Sequence, residues 1–105
     1  MSAPEVTGHR LGPPDGIPVG EGRAFAVGDR QIAVFRLRDG GLRAMDALCP
    51  HAGGPLADGQ VDATKVVCPL HNYTFSVADG SCGNGDFEVT VYPVREERGE
   101  VVVDL

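Results

Sequence analysis

At 105 residues, 42% hydrophobic and 23% charged, the chain is one globular domain's worth rather than a disordered segment. Its 15 glycines and 8 prolines are nearly double the typical share of about 12%, which favours turns and short strands over a helical bundle. Nine basic against fifteen acidic residues give a net charge of −6, a surface that repels phosphate backbones and excludes nucleic acid as a partner.

No apolar run approaches the ~20 residues of a membrane helix, so no membrane association is expected. Residues 1–10 read as a loose leader. Met1 to Asp15 carries Pro4, Pro13 and Pro14 and has no apolar segment behind a basic start, so the expected address is cytoplasmic. Ile17-Pro18-Val19-Gly20-Glu21-Gly22 then forms a turn leading into a strand over Arg23–Val27. Gln31–Arg38 is the strongest strand, with Ile32 and Val34 alternating against Ala33, Phe35 and Leu37. Asp39-Gly40-Gly41 supplies a hairpin turn and Leu42–Ala47 its return strand. A Gly/Pro-rich stretch from Leu48 to Gly59 follows. Short strands are expected over Lys65–Cys68 and Asn72–Val77, the second closed by Ala78-Asp79-Gly80. Glu88–Glu96 and Glu100–Leu105 make a last hairpin around Arg98-Gly99, where Pro93 favours an edge position. Seven or eight such strands predict an all-β antiparallel sandwich or barrel.

The chemistry lies in the cysteines and histidines, three of each. Cys49-Pro50-His51 is followed, sixteen residues later, by Cys68-Pro69-Leu70-His71. An odd cysteine count fits a disulfide framework poorly and metal ligation better. Two thiolates and two imidazoles from two loops make a four-ligand site of mixed softness. Reading the cysteines as small buried apolar groups and the histidines as surface residues leaves the matched Cys-Pro steps unaccounted for. A structural Cys2His2 zinc module is the alternative, but its pairs usually run Cys-x2–4-Cys and His-x3–5-His, whereas each pair here is mixed. A [2Fe–2S] cluster with two cysteines on one iron and two histidines on the other explains the mixing, because each loop then sends one ligand to each iron.

At these residues the sequence resembles the Rieske iron–sulfur family. Cys49-Pro50-His51-Ala52-Gly53-Gly54-Pro55-Leu56 and Cys68-Pro69-Leu70-His71-Asn72-Tyr73-Thr74-Phe75 match its two cluster-binding boxes, and the likeness extends from about Ile17 to Leu105. It implies an antiparallel β-sandwich with a small two-loop cluster-binding subdomain, a single domain over residues 11–105, and loops at about 48–56 and 68–75. Cys49, His51, Cys68 and His71 are the implied cluster ligands, with both histidines at an exposed tip, and Gly53 and Gly54 would let backbone N–H groups approach the bridging sulfides. With neutral imidazoles the oxidised cluster is uncharged and the reduced one carries a single negative charge. An all-cysteine cluster would go from −2 to −3, so histidine ligation raises the potential.

The function so implied is one-electron transfer between redox proteins, a reductase and a terminal oxidoreductase. The chain would be either the ferredoxin component of an oxygenase or the small subunit of an NAD(P)H-dependent nitrite reductase. It would have no catalytic residue or substrate site of its own, since 105 residues leave no room for a mononuclear-iron domain. His9 reads as a leader residue and Cys82 as a buried thiol. High-potential relatives brace their loops with a disulfide where this chain has Gly54 and Leu70. Those relatives also carry a serine and a tyrosine where Tyr73 and Phe75 stand, so the resemblance implies a low potential.

Overall fold

A computed structural model describes residues 8–48, 55–62, 64–69, 73–83, 85 and 88–104. Alternating β-branched, aromatic and small residues build the central hairpin of β2 (Glu21–Val27) and β3 (Arg30–Arg36). The register pairs Phe25 with Ile32 and Arg23 with Val34. β4 (Leu42–Asp46) returns on the other side of β3 through the expected turn at Asp39-Gly40-Gly41, where the Asp39 carboxylate accepts the Gly41 N–H at 2.8 Å. Gly40, at φ 89, occupies the left-handed region that glycine enters without penalty.

The expected alternation along β3 is present, but over Ile32–Phe35 neither face meets water. Ile32 and Val34 enter one core with Ile17, Ala44, Val101 and Val103. Ala33 and Phe35 enter a second core with Met45, Leu56, Val66, Cys68 and Phe75. All four residues of Ile32–Phe35 are 0% exposed. The central sheet is therefore a middle layer, with strand order β2-β3-β4-β8, where β8 is Val91–Tyr92. On one side lies the sheet of β1 (Gly8–Arg10), β10 (Glu100–Asp104) and β9 (Val94–Glu97). On the other lies β5 (Gln60–Val61), β6 (Lys65–Val67) and β7 (Thr74–Ser76). Every strand pairing among the described residues is antiparallel, as an antiparallel sandwich requires.

Three expectations change in detail. Gly8–Arg10, assigned to the leader, form β1 and pair with β10, His9 opposite Val103, and residues 1–7 lie outside the described set. The strand expected over Glu88–Glu96 is broken into β8 (Val91–Tyr92) and β9, because Pro93 has no N–H to donate to a ladder. The chain changes sheets there, leaving β8 on the edge of one and β9 on the edge of the other. The strands flanking the second box are also shorter than expected, since Cys68 and Tyr73 close a loop rather than extend a ladder.

The β9–β10 turn holds Arg98 at φ 54 and Gly99 at φ 79. Positive φ at both central residues marks a type I′ turn, whose preferred pair is Asn-Gly. An arginine in that conformation costs about 1 kcal/mol. Arg98→Asn is therefore expected to raise stability by roughly 0.5–1 kcal/mol, measured by urea unfolding of the cluster-loaded protein. An unchanged or lower midpoint would contradict this account of the turn.

Candidate metal centre

Two loop stems converge on the second core. β4 ends at Asp46, after which the Ala47 N–H donates to the Gln31 carbonyl at 2.9 Å. Leu48 bridges to Pro55, and the Leu56 N–H donates to the Ala47 carbonyl at 2.8 Å. That closes the base of the first loop, and a 3-10 turn over Leu56–Asp58 follows with Leu56 and Ala57 buried. The second stem is β6 and β7, joined at the base of its loop by the Cys68 N–H donating to the Tyr73 carbonyl at 2.7 Å. Residues 81–83 extend this sheet: Cys82 bridges to Phe75, and the Gly83 N–H donates to the Thr74 carbonyl at 2.9 Å.

The stems touch at Gly59. A β-carbon on this residue would stand 2.1 Å from the Val67 carbonyl oxygen, which is inside any real contact distance. Its φ of −75 is open to every residue, so the glycine is needed for space and not for conformation. Val67 immediately precedes Cys68. The first loop's exit is thereby pressed onto the strand that leads to Cys68, a candidate ligand. Sequence reading singled out Gly53 and Gly54 and passed over Gly59, because only the pairing of Gln60 with Val67 reveals the close approach.

Of the four candidate ligands, Cys68 is described and is 0% exposed at the end of β6. Cys49, His51 and His71 lie outside the described residues, as do Gly53, Gly54 and Leu70. Among the described residues no three His, Cys, Asp or Glu side chains gather as a metal site. His9 stands on β1 in a different sheet from both stems. Cys82, expected to be buried, is only half-buried against the second core. No polar or charged side chain is buried among the described residues. A thiolate at Cys68 therefore sits in an apolar setting, where its charge is tolerable when bound to a cation. Both loop bases enter the same core, through Ala47 and Leu56 on one side and Cys68 on the other. Cys68 and its apolar surroundings fit a thiolate donor to an iron–sulfur cluster. Around the loops, Leu48, Pro55 and Pro69 are exposed.

Comparison with known proteins decides the family. Residues 9–95 match the Rieske [2Fe-2S] domain. The chain belongs to the Rieske [2Fe–2S] family. It is 37% identical to the anthranilate 1,2-dioxygenase ferredoxin subunit of Burkholderia cepacia over 92% of its own length and 91% of that protein's. Its fold superposes on the ferredoxin of Sphingomonas yanoikuyae B1 with a TM-score of 0.82 at 30% identity, covering 94% of this chain and 99% of that one. A putative NADH-dependent nitrite reductase small subunit from Mycobacterium tuberculosis gives a TM-score of 0.87 at 28% identity, covering 94% and 95%. The protein carries a Rieske-type [2Fe–2S] cluster and is an electron carrier.

Because Gly59 joins the two stems, Gly59→Ala must push β6 away from the 3-10 turn. The expected result is a loss of several kcal/mol of stability, of the order seen for severe overpacking, together with a lowered iron content in the purified protein. Full iron occupancy with an unchanged melting temperature would show that the stems tolerate separation.

Proposed function

We propose that the protein is the ferredoxin component of a multicomponent oxygenase, taking single electrons from a reductase and passing them to a terminal oxygenase. Within this reading Cys49 and Cys68 ligate one iron and His51 and His71 the other. The observation that carries it is 37% identity to an oxygenase ferredoxin over nine-tenths of both chains, with both Cys-Pro boxes intact in the sequence. The loop bases over 48–56 and 68–75 fit that ligand set, since Leu48 with Pro55 and Cys68 with Tyr73 each close a short loop over the second core. A cytoplasmic location belongs to the same proposal, as does a domain running from the first residues of β1 to the end of the chain. No helix among the described residues is long and apolar enough to cross a membrane. The TM-score of 0.87 to a nitrite reductase small subunit favours a second reading, in which the chain serves a nitrite reductase.

The bound cluster supplies a one-electron couple. The chain's part is to hold the ligands rigidly and exclude water from Cys68, which the apolar core around that residue does. The test of partner choice is reconstitution. The loaded protein should couple an NADH-dependent flavin reductase to substrate oxidation by a terminal oxygenase. Failure there with successful coupling to a nitrite reductase large subunit would select the second reading.

Ligand assignment is tested separately. Cys49→Ser and Cys68→Ser should lose the cluster, because a hard hydroxyl replaces a soft thiolate. Cys82→Ser, half-buried at the margin of the core, should keep it at a modest cost in stability. Iron and sulfide analysis of the three variants is the readout. Iron lost from Cys82→Ser and retained in Cys68→Ser would overturn the assignment.

The potential is expected in the lower part of the Rieske range of about −150 to +300 mV. Phe75 is fully buried and its ring offers no hydroxyl to stabilise a reduced cluster. Hydrogen bonds to charged groups are worth about 1.5–3 kcal/mol. Protein-film voltammetry near neutral pH should give a midpoint below about +100 mV, and a higher value would contradict a ferredoxin-type carrier.

A further inference from the structure

Three side chains from three adjacent strands form a hydrogen-bonded chain at the end of the central sheet where the first loop departs. The Tyr92 O–H donates to Asp46 Oδ1 at 2.6 Å. The Arg30 guanidinium donates to the Tyr92 hydroxyl oxygen at 2.9 Å. Arg30 opens β3, Asp46 closes β4 and Tyr92 closes β8. Asp46 lies opposite Ile32, and Ala44 opposite Tyr92. The Tyr92–Asp46 contact is therefore a diagonal one between neighbouring strands, and Arg30 reaches the Tyr92 hydroxyl across β4 on the same sheet face. Asp46 stands three residues before Cys49.

The backbone shows what this chain of contacts has to hold. β8 meets β4 in two register pairs, Ala44 with Tyr92 and Met45 with Val91, and the Asp46 N–H donates to the Thr90 carbonyl at 2.9 Å. So short an edge strand is held weakly by its ladder. The first loop's stem, Asp46 to Leu48, lies between this edge and β3. Tyr92 packs its ring against the first core while its hydroxyl reaches the carboxylate. Burial and the neighbouring Asp46 carboxylate raise the phenol above its ordinary value, so it remains the donor. A hydrogen bond to a carboxylate is short and roughly twice as strong as a neutral one.

We propose that Arg30, Tyr92 and Asp46 are positioning residues for the cluster: they clamp the stem of the first ligand loop and fix a carboxylate and its guanidinium counter-charge beside it. This rests on the ligand assignment given above. The clamp acts through Asp46 on the stem that leads to Cys49, and none of the three residues is itself a ligand. Two effects follow. Losing the Tyr92 hydroxyl frees the stem, so the ligand geometry becomes heterogeneous. Removing the Asp46 charge favours the reduced, negative cluster and removing the Arg30 charge disfavours it, by Coulomb's law.

The test uses the full-length, cluster-loaded protein and the variants Tyr92→Phe, Asp46→Asn, Arg30→Gln and Val91→Ala. The last weakens the packing of β8 without touching the clamp. Tyr92→Phe should broaden the EPR spectrum of the reduced cluster and speed chelator-driven iron loss on the order of tenfold. Val91→Ala should lower the melting temperature with the spectrum unchanged. The midpoint potential should rise in Asp46→Asn and fall in Arg30→Gln. Identical spectra and iron-loss rates in Tyr92→Phe and Val91→Ala would overturn the proposal, as would potentials that do not move in opposite directions. A wild-type protein with no Rieske-type EPR signal would instead overturn the cluster assignment itself, so the two failures are distinct.

Discussion

β3 is buried from both sides, and that fact sets the register of everything around it. Ile32 and Val34 fill one core while Ala33 and Phe35 fill the other. A slip of one residue would put Phe35 where Val34 sits and carry each side chain to the wrong layer. β4 is paired to β3 over five residues, so its end at Asp46 is fixed by the same constraint. The first loop therefore leaves the sheet at a defined place, and Met45 and Ala47 deliver its base to the core that also receives Cys68. Packing at the centre of the molecule determines where the two loop stems meet.

The all-β class, the hairpins at Asp39-Gly40-Gly41 and Arg98-Gly99, and the edge placement around Pro93 were legible because each depends on local chemistry. Glycine tolerates positive φ, proline lacks a donor, and alternation has a period of two. The burial of β3 on both faces was not legible, since alternation normally signals one wet face. Nothing within Gln31–Arg38 reveals that both sides will be covered. β1 was missed for a similar reason: Gly8, His9 and Arg10 carry no strand signal of their own, and tertiary pairing with the valines of β10 supplies it. The family could be read from the two Cys-Pro boxes because metal chemistry requires particular side chains at particular spacings. Gly59 and the Arg30–Tyr92–Asp46 chain could not, because they depend on which residues lie opposite each other across strands far apart in sequence.

Charge is distributed in keeping with this division of labour. Arg10 pairs with Glu97 and Glu100, and Arg95 with Glu97 and Asp104. These pairs all lie on the sheet of β1, β10 and β9, the layer away from the loop stems. They are largely exposed, and each is worth about 0–1 kcal/mol. Asp62 has a different local role. Its carboxylate accepts the Thr64 and Lys65 N–H groups, each at 2.8 Å, and is held well below the usual carboxylate range, chiefly by the Thr64 N–H. It fixes the β5–β6 turn at the end of that hairpin remote from Cys68.

An electron carrier does its work best when its ligands move little between oxidised and reduced states, and the described stems show how a domain this small achieves that. Each loop is short, and each is closed at its base by backbone pairing, Leu48 with Pro55 and Cys68 with Tyr73. A proline follows both Cys49 and Cys68 in the sequence, and a proline ring fixes one backbone dihedral. Behind the loops, the close approach of Gly59 to Val67 leaves the stems no room to shift independently. Rigidity comes from neighbouring backbones and a shared apolar core. A polar device at the first stem, Arg30 to Tyr92 to Asp46, sits at the β8 edge of the sheet, where backbone pairing is short.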